Sequence, residues 1–386
     1  MSRLELGWLG RRVTLLLLAA TLLVGSGACR RNGSSDATVD SEAETGDEPT
    51  QDLTFDNITL EQSDDAGALL WRMEADQAIY SQDQQDARIE SPTGEFYRDG
   101  EPAFEIQAES GEVRQNGEQL FLRGQVVATD LDTGAVLRGD ELEWVPEEDL
   151  FIVRNNVKGT HPDFTMTADE VRASLEEERI EVEGNVRAKN TEDTFRLRAE
   201  QLVWLMEEEL LTSDRPLQIQ QRENKQVTGQ ANSDQAEFNL ATEVAILREN
   251  AIVTLGDPPI RVTGDSLQWN LAENTVLADQ PLTVVHRGEG MTLNANQGQG
   301  DLDDQVFRMS GDVRVVAEQN QGRLNSDRLT WKIPTQDVVA EGNVRYRQVD
   351  PVAELQGSRA VGKLQNETIV VTGQQVVTEI IPNNTN

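Results

Sequence analysis

Few residues in this sequence could do chemistry, and they are scattered. The chain of 386 residues has one cysteine, Cys29, and two histidines, His161 and His286. A single cysteine excludes an intramolecular disulfide and a cysteine-based zinc site. Both histidines stand beside turn-forming residues, in Gly-Thr-His-Pro-Asp and Val-Val-His-Arg-Gly, without a nucleophile pattern nearby. We therefore predict two surface or loop histidines, no catalytic residue, no metal and no cofactor.

Acidic residues are frequent, but they do not form a convincing site. Two close pairs are candidates for weak calcium binding, Asp130 with Asp132 and Asp303 with Asp304. They lack the glycine and the distal glutamate of a calcium loop, so we expect solvated turns. Because carboxylates recur along the chain, a glycosidase pair could be chosen almost anywhere. The sequence also has no Gly-x-x-x-x-Gly-Lys-Ser/Thr phosphate loop.

Charge excludes one class of partner. The chain has 69 acidic and 34 basic residues, which gives a formal net charge of −35. A nucleic acid binds through neutralised phosphates, so this excess of acid predicts no nucleic-acid partner.

The position of the cysteine gives it a possible role. Arg11 and Arg12 precede an apolar run of about 12 residues, and small residues then lead to Cys29, which is the order of a secretory signal. Three interpretations remain open: lipidation at Cys29, a retained membrane anchor, or a cleaved signal with an incidental cysteine. Ser26 departs from the leucine-like residue usual before a lipidation site, and the run is shorter than the roughly 20 residues of a transmembrane helix. Export is expected in every case.

The composition of residues 30–52 predicts a disordered tether. They are polar and acidic and contain almost no large apolar side chain, so they cannot offset the entropy of ordering. As a flexible chain this segment spans on the order of 25 Å.

An internal repeat dominates the rest of the sequence. Segments such as Gly139-Asp140-Glu141-Leu142-Glu143-Trp144 and Ala199-Glu200-Gln201-Leu202-Val203-Trp204 share a small residue, an acid, a leucine and a tryptophan. Steps of about 31 residues separate ten small anchors: Ala75, Ala108, Gly139, Ala168, Ala199, Ser233, Gly264, Ala295, Ser326 and Gly357. Such a period indicates stacked units that share one core.

Alternation of apolar and polar residues makes each unit a pair of strands. The alternation changes parity at the small–acid pair, which predicts a bulge or corner there. A second strand then follows, and we expect it to end near Gly-x-Val segments such as Gly184-Asn185-Val186. The prediction is an all-β, elongated antiparallel jelly roll of roughly twenty strands. It suits the alternation better than a parallel β-helix, which stays an alternative.

At this point the sequence resembles the LptC family and the OstA-like (LptA-type) periplasmic proteins of lipopolysaccharide transport. The segments that resemble it are Phe55–Gln62, Leu70–Tyr80 and later units such as Met166–Val171. The chain is about twice as long as a common LptC protein, an arrangement similar to the long cyanobacterial-type members. We predict a signal peptide or anchor at 1–29, the tether at 30–52, an LptC-like jelly roll at 53–222 and an OstA-like one at 223–382. The last two could also be continuous.

The resemblance implies a non-enzymatic component of lipopolysaccharide export. It implies four partners: lipopolysaccharide, the inner-membrane ABC transporter, an LptA- or OstA-like bridge protein bound through terminal strand edges, and the membrane at the N-terminus. The edges are expected around Phe55–Leu60 and Val370–Ile381. Acyl chains would enter an apolar seam, for which the candidate residues are Trp71, Tyr80, Trp144, Trp204, Phe238, Trp269 and Trp331. Alternatively, these rings simply fill the core.

Two other functions remain open. One is a structural or adhesive envelope β-solenoid that carries no lipid. The other is a carbohydrate-active enzyme of the β-helical type.

Overall fold

The described chain consists almost entirely of β-strands. The computed structural model describes residues 53–380, apart from 65, 83, 99, 146–147, 175–176, 319–320, 350–351, 364–367 and 374–376. All of these described residues belong to one compact unit. They contain 28 strands and one 3-10 turn at Gln115–Gly117.

The strands follow one another closely along the chain. The first fourteen are β1 Leu53–Ser63, β2 Leu69–Tyr80, β3 Ala87–Glu90, β4 Thr93–Arg98, β5 Glu101–Gln107, β6 Ser110–Arg114, β7 Gln119–Asp130, β8 Val136–Val145, β9 Leu150–Thr160, β10 Phe164–Ser174, β11 Arg179–Asn190, β12 Phe195–Leu205, β13 Leu210–Ser213 and β14 Leu217–Glu223. The others are β15 Gln226–Ser233, β16 Gln235–Asn239, β17 Val244–Leu255, β18 Ile260–Asn270, β19 Thr275–Ala278, β20 Leu282–His286, β21 Met291–Ala295, β22 Gln297–Asp301, β23 Val306–Ala317, β24 Gly322–Lys332, β25 Asp337–Gln348, β26 Ala353–Lys363, β27 Thr368–Thr372 and β28 Val377–Ile380.

Each pass of the chain forms one antiparallel rung. Long strands such as β10, β11 and β12 pair with their neighbours along their whole length. Seven rungs consist of two short strands each, such as β13 with β14, so the 28 strands form 21 rungs in the described part of the chain. Two rungs make one repeat of about 31 residues. The predicted all-β antiparallel architecture is confirmed, but the predicted number of roughly twenty strands matches the 21 rungs and not the 28 separate strands.

Small residues occupy the bend in every second rung. The pairing shifts register at this point, as it does between Ala168 and Glu170 where β10 meets β9. The anchors Ala168, Ala199 and Ser326 are buried there. At Gly139 an added Cβ would lie 2.5 Å from a methyl group of Val153, so a larger residue does not fit. The predicted corner at the small–acid pair is therefore present.

The rung between two such corners bends with left-handed backbone. Gly184 and Asn185 have φ values of +74° and +49°, a conformation that glycine and asparagine adopt most readily. The Asn185 side-chain amide donates a hydrogen bond of 2.7 Å to Asp169, sixteen residues earlier. Four further corners repeat this bond: Asn156 to Asp140, Asn250 to Asp234, Asn343 to Asp327 and Gln125 to Glu109. The expectation that strands end at Gly-x-Val was wrong, because β11 runs through this bend.

Proline replaces the amide side chain at three bends. Sixteen residues after the corner acids Asp76, Glu200 and Asp265 stand Pro92, Pro216 and Pro281. Proline cannot donate a backbone hydrogen bond, so a strand is interrupted at such a site. These are the points at which β3 and β4, β13 and β14, and β19 and β20 separate.

The line of bends folds the sheet so that its two halves face each other. We call half A the part that contains Trp144, Trp204, Trp269 and Trp331, and half B the part on the other side of the bends. Phe96 of β4 in half B lies 4.1 Å from the ring of Trp144 in half A, although β4 and β8 are not paired strands. The apolar side chains between the halves form the core.

Two clusters of buried residues follow each other along this core. One extends from Trp71 to Leu217 and the other from Ala231 to Ala360. Both meet the half-buried residues Ile219 and Ala236. The hydrogen bonds are continuous here, because β14 pairs with β15. The division into jelly rolls at 53–222 and 223–382 stays a prediction.

The asparagine at a bend should contribute in two separable ways. In Asn185→Gly the left-handed backbone is kept and the hydrogen bond is lost, which should lower the free energy of unfolding by about 1 kcal/mol. In Asn185→Ala the strained φ should cost roughly 1–2 kcal/mol more. Denaturant unfolding of both variants measures the difference. Equal midpoints for the two variants would contradict this account of the bend.

Candidate functional site

The seven predicted seam residues all lie on inner-face positions, but their exposure differs. Four rings are closed off from solvent, with exposed fractions of 1% for Trp71 and Trp331 and 2% for Trp144 and Trp269. Tyr80, Trp204 and Phe238 are only half-buried. Tyr80 contacts Phe55 edge-to-face at 5.7 Å, and burial raises its pKa. The exposure of these inner-face rings therefore differs from one repeat to another.

Aromatic rings close the N-terminal section between the ends of the two halves. Trp144 stacks on Phe151 at 5.2 Å in half A. From half B, Phe96 contacts both rings, and Phe104 lies 5.7 Å from Phe151. These ring contacts join the two halves near the strand ends of the N-terminal section.

A histidine takes part in the closure of the C-terminal section. His286 ends β20 in half B, is 6% exposed, and its ring lies 5.3 Å from Trp331 of half A. Its Nδ1 accepts a hydrogen bond of 3.0 Å from the backbone N–H of Glu289. The Gln336 side chain donates a hydrogen bond to Glu289 across the same gap. The prediction of a surface or loop His286 was wrong, because alternation along β20 turns this side chain inward.

Between these closed sections lies a section whose inner face is partly exposed. Near the bends its residues are buried, as Val171, Val186 and Leu217 are. Towards the strand ends the inner side chains are half-buried: Met166, Ile180, Leu197, Leu202, Trp204, Ile219, Ala236 and Phe238. We call these eight residues the open section. Among the described residues here, no aromatic pair or side-chain hydrogen bond joins the outer ends of the two halves.

The indole groups on the inner face share one unusual property. The Nε1 atoms of Trp71, Trp144, Trp204, Trp269 and Trp331 are all buried without a hydrogen-bond acceptor. A buried donor without a partner costs free energy. At Trp204 the ring itself is half-buried, so this donor stands beside the open section.

The candidate calcium-binding acid pairs and His161 lie in turns. Asp130 accepts hydrogen bonds from the backbone N–H groups of Asp132 and Thr133, and Asp303 accepts one from Asn274. His161 stacks on Phe164 in a turn. No group of three or more histidine, cysteine or acidic residues able to hold a metal occurs among the described residues.

Both ends of the described sheet present an edge. β1 pairs with β2, and β27 and β28 pair with β26, while no other strand in the described ranges lies on their far side. Phe55 and Val370 are exposed on these edges, Val370 to 61%. Ile381, at the end of the predicted C-terminal edge, lies outside the described residues.

Charge differs between the outer faces of the two halves, which the net charge of the sequence did not indicate. Half A pairs most of its arginines with carboxylates, as Arg154 does with Glu143 at 2.7 Å and Glu170 at 2.9 Å. In half B, outward positions from β8 to β25 carry bases or neutral side chains, and carboxylates lie at bends and turn ends. The bases are Arg138, Lys158, Arg187, Lys189, Arg196, Arg198, Arg261, Arg314, Arg323, Arg345 and Arg347. The alternation of inward and outward positions along each strand could have predicted that these bases share one outer face.

The predicted anchor cannot be compared with the fold. Cys29 and the tether at 30–52 lie outside the described residues. Within the described ranges, no helix has the length and apolar character needed to cross a membrane.

Repeated bent rungs around an apolar interior place the chain among the antiparallel β-jelly-roll proteins. The profile of the family described as "Lipopolysaccharide-assembly, LptC-related" matches residues 15–192 and 189–318. The chain therefore belongs to the LptC-related family, as its resemblance predicted. No curated protein matches it. One similar solved structure is that of LptH, the LptA homologous periplasmic component of the conserved lipopolysaccharide transport device from Pseudomonas aeruginosa. It is 14% identical with a TM-score of 0.20, and the match covers 40% of this chain and 95% of that chain.

Burial of His286 should make the fold sensitive to mild acid. Desolvation lowers the pKa of His286 below 6.5, so the unfolded chain binds a proton that the folded chain resists. The free energy of unfolding should therefore fall as the pH drops below about 6.5, down to the lowered pKa. His286→Leu should remove this component between pH 7.5 and 5.5.

The unchanged protein, measured over the same pH range, is the control. Equal slopes for His286→Leu and the unchanged protein would reject the assignment to His286.

Proposed function

We propose that this protein is an envelope-anchored, non-enzymatic carrier that accepts lipopolysaccharide from the inner-membrane ABC transporter and passes it towards the outer membrane. The observation that carries the proposal is the open section, a half-exposed apolar inner face in a member of the LptC-related family. Each buried methylene contributes about 0.8 kcal/mol, so acyl chains would bind there without a covalent bond. The saccharide would stay in water outside the halves.

Six of the seven seam residues then divide into two roles. Trp204 and Phe238 would contact the acyl chains directly, since they are half-buried. Trp71, Trp144, Trp269 and Trp331 would form closed gates that open as a lipid passes. In both groups, the buried indole N–H groups could donate to the ester or amide carbonyl oxygens of an acylated ligand.

The edges would join the chain to its partners. Exposed strand edges bind other strands by backbone hydrogen bonds. We propose that β1 meets the transporter side and that β27 and β28 meet an LptA- or OstA-like bridge protein. The N-terminus would hold the chain at the inner membrane, with the folded part in the periplasm and Cys29 as the candidate lipidation site.

A photo-crosslinker on the inner face should capture the cargo. Replacing Phe238 with a benzophenone amino acid should give an adduct with lipopolysaccharide in living cells, because this side chain faces the open section. The matched control replaces Glu237, the preceding residue on the outward side of β16, and should give no adduct. Equal capture at both positions, or none at Phe238, would favour the structural or adhesive β-solenoid instead.

A charge on the last strand should block strand addition. Val370→Lys places a cation on the edge strand β27 and should reduce co-purification of a bridge protein several-fold. Val361→Lys, on the paired position of β26, is the control because β26 has neighbours on both sides. Undiminished co-purification with Val370→Lys would mean that this edge is not the junction.

A further inference from the structure

Basic side chains gather on half B beside the open section. Arg196 forms a two-point contact with Asp193, at 2.6 and 2.7 Å. The Arg196 contact, together with the positive charges of Arg222 and Lys189, lowers the pKa of Asp193. Three cations therefore surround one carboxylate at the strand ends. The Nε atom of Arg222 is also buried without an acceptor.

Cations also stand opposite each other across the paired strands β11 and β12. Arg187 of β11 stands directly opposite Arg198 of β12, and Lys189 stands opposite Arg196. Like charges in directly opposed positions repel each other and destabilise a sheet. Arg187, Lys189 and Arg198 are exposed and have no ion pair among the described residues. Arg138 opposite Lys158 and Arg323 opposite Arg347 repeat this arrangement elsewhere on half B, so it is the position beside the open section that distinguishes these two pairs.

This cation cluster and the open section share the same strands. We define the cation cluster as Arg187, Lys189, Arg196, Arg198 and Arg222. On β12 the inward Leu197 belongs to the open section, while its neighbours Arg196 and Arg198 point outward. One ligand that placed apolar chains between the halves would thus bring its polar end to the rim where these cations begin.

We propose that the cation cluster binds phosphate groups on the saccharide of an acylated glycolipid whose acyl chains lie in the open section. This inference rests on the proposed function and adds a charge requirement to the cargo. Lysine and arginine bind phosphate and carboxylate strongly through charge-assisted hydrogen bonds. The nearby outward residues are amides and hydroxyls, among them Gln218, Gln220 and Thr167, which suit sugar hydroxyl groups.

An anionic membrane surface fits these observations less well. It would engage the whole basic face of half B, including Arg323, Arg345 and Arg347, which lie beside the closed C-terminal section. A single glycolipid would need only the cations next to the open section. Loss of the cation cluster and loss of the C-terminal arginines should therefore have different effects on glycolipid binding and on membrane binding.

The experiment compares two triple variants of the full-length protein in nanodiscs of neutral phospholipid. The first combines Arg187→Gln, Lys189→Gln and Arg198→Gln. The matched control combines Arg323→Gln, Arg345→Gln and Arg347→Gln, which removes the same charge from the same face. Binding of fluorescent lipopolysaccharide is measured with its phosphates present and after their enzymatic removal. All six positions are exposed, so both variants should fold, which circular dichroism checks.

For phosphorylated lipopolysaccharide, the first triple variant should bind about tenfold more weakly than the unchanged protein, as expected when several cations near an anionic group are lost. The control variant should bind within about twofold of the unchanged protein, since Arg323, Arg345 and Arg347 lie beside the closed C-terminal section and not beside the open section. For dephosphorylated lipopolysaccharide, both variants should match the unchanged protein.

Three results would overturn the inference. Equal binding of both ligands by the unchanged protein would show that the anion is not recognised, although the proposed carrier function would stand. Equal losses in the two variants would indicate a general electrostatic effect of half B. Tight binding to vesicles of anionic phospholipid, abolished by either variant, would assign the face to a membrane. Absence of binding by the unchanged protein to either ligand would instead refute the proposed function.

Discussion

The whole structure depends on a bend in the middle of every rung. A strand that runs straight for eleven or twelve residues would build a flat sheet with two wet faces and no core. The bend folds the sheet on itself, so that one face becomes an interior along its entire length. Small residues allow the close approach at one corner, and left-handed asparagine allows it at the next. The hydrogen bond between Asn185 and Asp169 links these two solutions on adjacent rungs.

How tightly the two halves close on each other depends on the side chains near the strand ends. Large rings from both halves meet in the N-terminal section, where Phe96 reaches Trp144. In the C-terminal section His286 and Trp331 meet in the same way. In the open section Trp204 has no ring opposite it among the described residues, and the side chains around it remain half-buried. Tryptophans at equivalent positions of successive repeats thus differ in exposure, because different side chains of half B stand opposite them.

Much of the fold could be predicted from the sequence, because strand alternation and the small–acid pair recur at every repeat. The site could be predicted less well. Spacing identified Trp204 and Trp269 as equivalent, but contacts between distant rungs decide that one is half-buried and the other closed. His286 was misread as a turn residue, since its neighbours Arg287 and Gly288 hide the alternation of β20. The bend at the amide side chains, such as Asn185, was not predicted either, because the acid that the amide binds, here Asp169, lies sixteen residues earlier in the sequence.

The chain has a net charge of −35, yet its unpaired basic side chains are concentrated on the outer face of half B. An acidic surface repels anionic molecules over most of its area, and a local basic face concentrates them where the field changes sign. In half A most arginines are paired with carboxylates, as Arg154 is, so few cations there are free to bind an anionic ligand. In half B cations such as Arg187 and Arg198 face solvent and one another. An anionic ligand with apolar chains would therefore be steered to one rim, and the same field would disfavour its adsorption elsewhere on the protein.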